Sequence, residues 1–397
     1  MSVRKRAWTT PKGEEKTAWV VDYTDTAGKR RLKTFPRKKE ADAFAATASV
    51  EVREGTHVAD SASVTVTKAG ELWIASGESA GLERSTIKQR RAHLDVHLTP
   101  LIGPTLLSKL TVPLVREFED RMRKEGRSAV LTKKVLTSLG SIFADANERG
   151  LATRNPVRDI RGSRKGRELR AERRQKGRLE VGKDIPTREE IRALVAALDD
   201  NWRPLLLTAV FTGMRSSELR GLRWQDVDLR KACIHVRQRV DEFGQIGPPK
   251  SEAGARTIPV PPPVIVALKE QKLRQAKGVD FVFANPEGKP RSHTNTIDRG
   301  LMPAMIRAGV TVTTGEVDKD GQPIAAAKYT GMHALRHFYA SWLINRKEEG
   351  GLGLPAKMVQ ERLGHASIVM TMDVYGHLFP RADDGEELAA AARALLG

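Results

Sequence analysis

The sequence predicts a multidomain, mainly α protein: a small N-terminal β-sheet-plus-helix domain, a helical-bundle domain, and a mostly α C-terminal domain holding a small antiparallel sheet. Three observations predict it. A length of 397 residues suggests two or three domains at roughly 150 residues each. Apolar residues recur at helical spacing over most of the chain beyond about residue 63, while strand-like alternation is confined to two short places. Between the periodic regions, Arg161 to Lys183 holds ten basic and three acidic residues with almost no apolar period, the composition of a charged linker.

The boundaries follow: residues 1–58, 63–160, the linker 161–185, and 186–397. In the first, Trp19-Val20-Val21-Asp22-Tyr23 is β-rich, Asp25 to Gly28 is turn chemistry, and Arg31 to Phe35 alternates as the returning strand of a hairpin. A helix follows Pro36. In the second, Leu110 to Val115 opens a helix that runs through Phe118 and Met122 to a stop at Gly126. Leu131, Val135, Leu136, Leu139, Ile142 and Phe143 mark another up to Gly150, and a bundle of about four helices accounts for the region. The third unit opens at Pro186. Thr187 and Glu190 form a capping box before the stripe Ile191, Leu194, Val195, Leu198, and Pro204 begins a helix that ends near Gly213. Cys233 to Arg239 alternates like a strand, and Arg256 to Val260 returns after a Gly/Pro-rich turn. Thr311 to Lys328 reads as a loop insertion, and the tail from Glu386 is Ala-rich and amphipathic.

Composition narrows the function classes. Cys233 is the single cysteine, so neither an intrachain disulfide nor a Cys-rich zinc site can form. No stretch of about 18 apolar residues occurs, and MSVRKRAWTTPKGEE lacks the apolar core of a signal peptide, so a cytoplasmic location without membrane partners is expected. No phosphate-binding G-x-x-x-x-G-K-[ST] loop occurs either. The 68 Lys and Arg against 49 Asp and Glu leave a net charge of +19, which points to nucleic acid, because each phosphate neutralised releases counterions. The charge is clustered at Lys29, Arg30, Arg31, Lys33, Arg37 and Lys38, and again in the linker at Arg164, Lys165, Arg173 and Arg174. These are the predicted DNA contacts.

Four features of the third unit carry chemistry. Arg215 follows a helix end in Gly213-Met214-Arg215-Ser216-Ser217-Glu218-Leu219. His333 and Arg336 stand three apart on one helix face. Leu363-Gly364-His365 precedes a helix carrying Tyr375, and Lys250 lies in the turn between the two predicted strands. These are the groups of a metal-free phosphoryl transfer. Two guanidiniums can hold the non-bridging oxygens of a phosphodiester and stabilise a pentavalent transition state. A phenol can be the nucleophile where neighbours lower the cost of its deprotonation, and a lysine can protonate a departing deoxyribose oxygen.

In these motifs and their order the sequence resembles the tyrosine recombinases, the family of phage integrases and related site-specific recombinases. The family's first arginine, in its Gly-hydrophobic-Arg-x-x-Glu-Leu context, matches Arg215. Its His-x-x-Arg box matches His333 and Arg336, its Leu-Gly-His matches His365, and its nucleophile followed by Gly-His matches Tyr375 with His377. The β-hairpin lysine matches Lys250, which is also the only lysine between Lys231 and Lys269. Ile102-Gly103, Leu110-Thr111 and Arg154-Asn155-Pro156 sit where the family's core-binding domains carry similar phrases. The resemblance implies an arm-type DNA-binding domain, a core-binding domain and a catalytic domain of the DNA breaking-rejoining fold. It also implies a 3′-phosphotyrosyl intermediate on Tyr375, with Arg215 and Arg336 clamping the phosphate, His333 and His365 assisting, and Lys250 as the acid. No cofactor or metal is implied. Implied partners are double-stranded DNA at attachment sites, a homotetramer on synapsed DNA, an excision factor and a host DNA-bending protein.

Other readings of the same residues are weaker. His333 and His337, four apart, would suit a metal-binding helix, yet Ala334 stands where the catalytic glutamate of H-E-x-x-H belongs. His337 is therefore read as a packed or hydrogen-bonded helix residue. Of the four tyrosines, Tyr23 belongs to the N-terminal strand, Tyr339 reads as core and Tyr329 as a support near the site. A type IB topoisomerase would use similar groups, and a DNA-binding regulator could keep the fold without activity. The arm-like domain argues against the first and the intact catalytic set against the second.

Overall fold

The computed structural model describes residues 1–9, 14–26, 28–55, 57–160, 178–317, 321, 323–379, 389 and 392–396. It divides into two compact units, Met1–Lys165 and Gly166–Gly397. Arg164, Lys165, Arg173 and Arg174 lie outside the described residues, as does most of the tail from Glu386. Among the described residues no helix is long and apolar enough to cross a membrane.

The first unit has two cores. A three-stranded antiparallel sheet joins β1 (Ser2–Thr9), β2 (Glu15–Thr24) and β3 (Arg30–Phe35) in that order. The expected hairpin is β2 and β3. Strand β1 is an addition that the charges of Arg4, Lys5 and Arg6 hid from a hydrophobicity reading. Trp19, Val21, Tyr23 and Phe35 pack on Ala41 and Phe44 of α1 (Lys38–Arg53). Because strand side chains alternate between faces, Arg4, Arg6 and Arg30, in register with Val20, Ala18 and Thr24, line the opposite, open face. The second core belongs to the bundle: α2 (Val66–Ser79), α3 (Arg84–Ala92) continued by a π turn His93–Leu98, α4 (Val112–Lys124) and α5 (Ala129–Glu148). Thr65 and Ser128 cap α2 and α5 through their hydroxyls. Trp73, Leu94, Phe118, Leu139 and Phe143 fill the interior.

In the second unit the Thr187–Glu190 capping box forms as expected at the start of α6 (Arg188–Ala196), with both of its hydrogen bonds present. The helix α7 (Arg203–Thr212) is buried nearly all round, as Leu205-Leu206-Leu207 and Ala209-Val210 require, and is central to the largest core. Around it lie α8 (Ser216–Arg220), α9 (Pro262–Arg274), α10 (His333–Ile344), α11 (Ala356–Leu363) and α12 (Ile368–Tyr375).

Two expectations need correction here. The run from Cys233 to Arg239 is not one strand. Strand β5 (Cys233–Val236) pairs with β4 (Val227–Asp228) and β8 (Arg256–Pro259), while β6 (Arg239–Val240) and β7 (Ile246–Gly247) form a separate ribbon. The break falls at Arg237-Gln238, where the Gln238 side-chain amide donates to the Gly221 carbonyl just after α8. Lys250 lies, as expected, in the connection between the paired strands β5 and β8, on an exposed stretch that follows β7. The segment from Thr311 to Lys328 is likewise a hairpin, β9 (Thr311–Val317) with β10 (Pro323–Ala327), pairing Thr311 with Ala327 and Thr313 with Ala325. The β-branched run Thr311-Val312-Thr313-Thr314 favours strand over loop.

Candidate active site

The site is assembled where two helices end. Helix α7 stops at Gly213, left-handed at φ 57°, and α11 stops at Gly364, left-handed at φ 65°. Neither position tolerates a side chain. A Cβ on Gly213 would lie 2.4 Å from the Tyr339 ring, and one on Gly364 would lie 2.9 Å from the Ala253 carbonyl oxygen. Arg336, on α10 and 4% exposed, bridges the two ends. Its Nη1 donates to the Gly213 carbonyl at 2.6 Å and its Nη2 to the Leu363 carbonyl at 2.7 Å. Helix C-termini carry partial negative charge, so two of them facing one guanidinium offset part of its desolvation. Burial, with Arg215 nearby, still lowers its pKa to about 10, and the side chain stays cationic at neutral pH.

Arg215 lies two residues beyond Gly213, at the start of α8. Its Nη1 donates to Glu218 Oε1 at 2.8 Å and its Nη2 to the Gly364 carbonyl at 3.2 Å, so both arginines hold the same turn. Glu218 is 2% exposed and is shared by four donors from two residues. Its Oε2 accepts from the Arg215 amide at 3.0 Å and from Arg256 Nη2 at 2.9 Å. Burial pushes the Glu218 carboxyl up, but Arg256 and Arg215 outweigh it and leave the pKa below the ordinary carboxylate value. Arg256 also donates to the Arg362 carbonyl at 2.8 Å, tying β8 to α11. The sequence reading missed this residue, whose only signal was a charge at an alternating strand position.

His365 follows Gly364 and is buried. Its Nδ1 lies 2.9 Å from Thr371 Oγ1, and its ring is parallel to that of Tyr375, with centroids 6.3 Å apart and planes 5° apart. Burial and the adjacent arginines lower its pKa to about 4. Tyr375 ends α12, is 2% exposed, and has its phenol pKa raised to about 12 by burial, with Arg336 and Arg215 pulling the other way. Its hydroxyl lies 2.7 Å from His337 Nδ1. His333 stands one turn before His337 on the rim of the site and is held below its usual pKa by partial desolvation and by Arg336 and Arg215. His377, beyond the tyrosine, lies 2.8 Å from the Leu179 carbonyl through Nε2.

Arg215, His333, Arg336, His365 and Tyr375 thus lie in one cluster, although 160 residues separate the first from the last. Lys250 is exposed on its loop. Tyr329 is buried elsewhere, donating to Glu190 Oε2 at 2.9 Å beside the Lys328–Glu190 ion pair. On the N-terminal sheet, Arg31 pairs with Asp25 at 2.7 Å and Lys33 with Asp60 at 2.8 Å, whereas Lys29, Arg30, Arg37 and Lys38 are exposed. Arg4 and Arg6 of the open face had not been singled out.

Residues 186–381 match the family model described as phage integrase family, and residues 67–163 match that of the phage integrase central domain. The chain belongs to the phage integrase family of tyrosine-type site-specific recombinases. This recombinase is 26% identical over 382 residues to the tyrosine recombinase XerC-like protein of Caldanaerobacter subterraneus subsp. tengcongensis, a match covering 90% of each chain. It is 23% identical over 301 residues to the ICEBs1 integrase of Bacillus subtilis, covering 72% of each. In fold it is similar to the Tn1549 transposon integrase solved with transposon right end DNA. There the TM-score is 0.61 and the identity 20%, over 84% of this chain and 100% of that one. A lambda integrase dimer bound to a COC′ core site aligns over 96% of this chain and 95% of that one, with TM-score 0.52 and identity 20%.

Proposed function

We propose that this recombinase integrates and excises a phage or other mobile element by cutting and rejoining DNA at attachment sites through a 3′-phosphotyrosyl link to Tyr375. The observation that carries the reading is the convergence of Arg215, Arg336, His365 and Tyr375 on the turn at Leu363-Gly364. Held rigidly by helix ends and by Glu218, the two guanidiniums present fixed donors to a phosphate without reorganising during the reaction. Arg215 and Arg336 clamp the scissile phosphate, His333 and His365 donate to its oxygens, and Lys250 swings from its loop to protonate the leaving 5′-oxygen. The energy of the broken bond stays in the protein link, so rejoining needs neither ATP nor metal.

The N-terminal sheet binds arm-type sites through its open face while residues 63–397 clamp the crossover site. One chain thereby bridges distant segments, which gives an excision factor and a DNA-bending protein a point of control. Four protomers act on two duplexes; the lambda integrase has been solved as a tetramer bound to a Holliday junction. We assign the Ala-rich tail to docking on a neighbour. Deleting residues 386–397 is expected to abolish synapsis while DNA binding persists, and unchanged synapsis would sink that assignment.

The deciding experiment traps the intermediate. A nicked duplex from the element's attachment region should give an SDS-resistant protein–DNA adduct with the wild type and none with Tyr375→Phe. An adduct indifferent to DNA sequence would indicate a topoisomerase, and tight binding without any adduct would indicate a regulator.

A further inference from the structure

Tyr375 is sealed from solvent, and a buried hydroxyl needs an acceptor for its proton. Among the described residues, Nδ1 of His337 lies 2.7 Å from its Oη. The imidazole is neutral. Burial, with His333 and Arg336 on its own helix, lowers its pKa to about 4, while Asp184 pulls the other way; His365 is also within electrostatic reach. In the tautomer with its proton on Nε2, a neutral imidazole presents Nδ1 as the acceptor that the phenol proton needs.

The other two histidines are placed differently. His365 meets Tyr375 ring to ring, and its Nδ1 is occupied by Thr371. His333 lies one helical turn away from His337, its ring centroid 6.1 Å from that of His337. Resting on the reading of Tyr375 as nucleophile, we propose that His337 is a further catalytic residue. Its Nδ1 fixes the Tyr375 hydroxyl and takes its proton as the phenol attacks.

The Oη–H proton passes to His337 Nδ1, Oη bonds to phosphorus, and the bond from phosphorus to the 5′-oxygen breaks, that oxygen keeping the electron pair and taking a proton from Lys250. In rejoining, an incoming 5′-hydroxyl loses its proton to Lys250 and attacks phosphorus, and the departing Oη recovers its proton from His337. A base with a pKa near 4 is weak, but a bound phosphate supplies negative charge that favours the imidazolium as the transfer proceeds.

The test uses the full chain and a nicked core-site duplex selected on it from random-sequence DNA, in two forms: with a normal 5′-bridging oxygen and with sulfur in its place. Sulfur leaves without an acid, so it rescues defects on the leaving-group side only. His337→Ala is expected to slow adduct formation about 100-fold with either duplex, while DNA affinity stays within about twofold. Lys250→Ala should recover on the sulfur duplex. His337→Asn, which keeps an acceptor near Nδ1 but cannot take the proton, should stay slow and lose the acid limb of the wild-type pH profile. Wild-type speed in His337→Ala, or its rescue by sulfur, would overturn the proposal, and a fully active His337→Asn would reduce His337 to a positioning residue. If His337→Ala fails to fold, the Asn variant decides. An adduct surviving in Tyr375→Phe would instead overturn the assignment of the nucleophile, a separate failure.

Discussion

The N-terminal sheet and the Arg336 site both hold cations in readiness, and they do so in opposite ways. On the sheet, Arg4, Arg6 and Arg30 are exposed over a floor of Ala18 and Val20, and Arg4 and Arg30 pair with Asp22 at the surface. In the site, Arg336 is buried with both ends of its fork on carbonyls, and Arg215 and Arg256 share a carboxylate that is itself 2% exposed. Exposed cations are screened and interchangeable, and contribute to binding roughly one phosphate at a time. Buried cations are fixed before substrate arrives, so each is hard to replace. Under the proposed function, the same residue type serves affinity in one region and geometry in the other.

Six substitutions sharpen this contrast. The largest effect is expected at Arg336. Arg336→Ala strips two buried carbonyls of their donor, at about 1–3 kcal/mol each, and removes a phosphate clamp. Adduct formation should fall by about 100- to 1000-fold or more, and thermal denaturation should show a lowered midpoint. Next is Glu218→Gln, which leaves two guanidiniums facing a neutral amide, a loss on the order of 3–5 kcal/mol for a buried pair. The sign of its pH dependence is fixed by the lowered pKa of Glu218. The carboxylate's contribution is present above the ordinary carboxylate range and is lost as pH falls through its folded-state pKa. Urea unfolding at pH 7 and pH 4 should therefore show the variant closer to wild type at the lower pH, and an equal gap at both would contradict the assignment.

Gly213→Ala comes third. The positive φ and the 2.4 Å approach to Tyr339 predict strain of about 1–3 kcal/mol, together with a displaced carbonyl under Arg336. A lower melting temperature with a slower adduct would be seen, whereas a melting curve superimposable on the wild type would mean the turn is not constrained. The smallest effect is expected on the sheet. Arg4→Ala, Arg6→Ala and Arg30→Ala should each leave stability unchanged and reduce the slope of log affinity against log salt by about 0.9 per lost phosphate contact, measured by fluorescence anisotropy on an arm-length duplex. Buried-site behaviour at any of the three, with a lowered midpoint, would erase the distinction between the regions.

Much of the site was legible because it is written in contiguous motifs. Gly213 to Leu219, His333 to Arg336 and Leu363 to His365 each place a helix end or helix face beside a functional side chain, and helix ends announce themselves through glycine. What was not legible came from pairing over distance. Arg256 looks like one more strand residue until β8 is laid against α11, where it meets Glu218 and the Arg362 carbonyl. His337 reads as a helix residue among apolar neighbours until α12 brings the tyrosine to it. Strand β1 was hidden by its charges, because an open sheet face bearing arginines lacks the apolar alternation that marks a half-buried strand.

The sequence by itself determined the family, the mainly helical architecture and the chemical types of the reacting groups, since local periodicity, caps and short motifs are properties of neighbouring residues. Tertiary structure alone decided which cations are exposed and which are buried, that Arg31 and Lys33 pair with Asp25 and Asp60 while Arg4 pairs with Asp22 on the open face, and which histidine nitrogen meets the phenol. Burial and hydrogen-bond partnership depend on segments up to 198 residues apart, as between His377 and Leu179, and no local pattern encodes that distance.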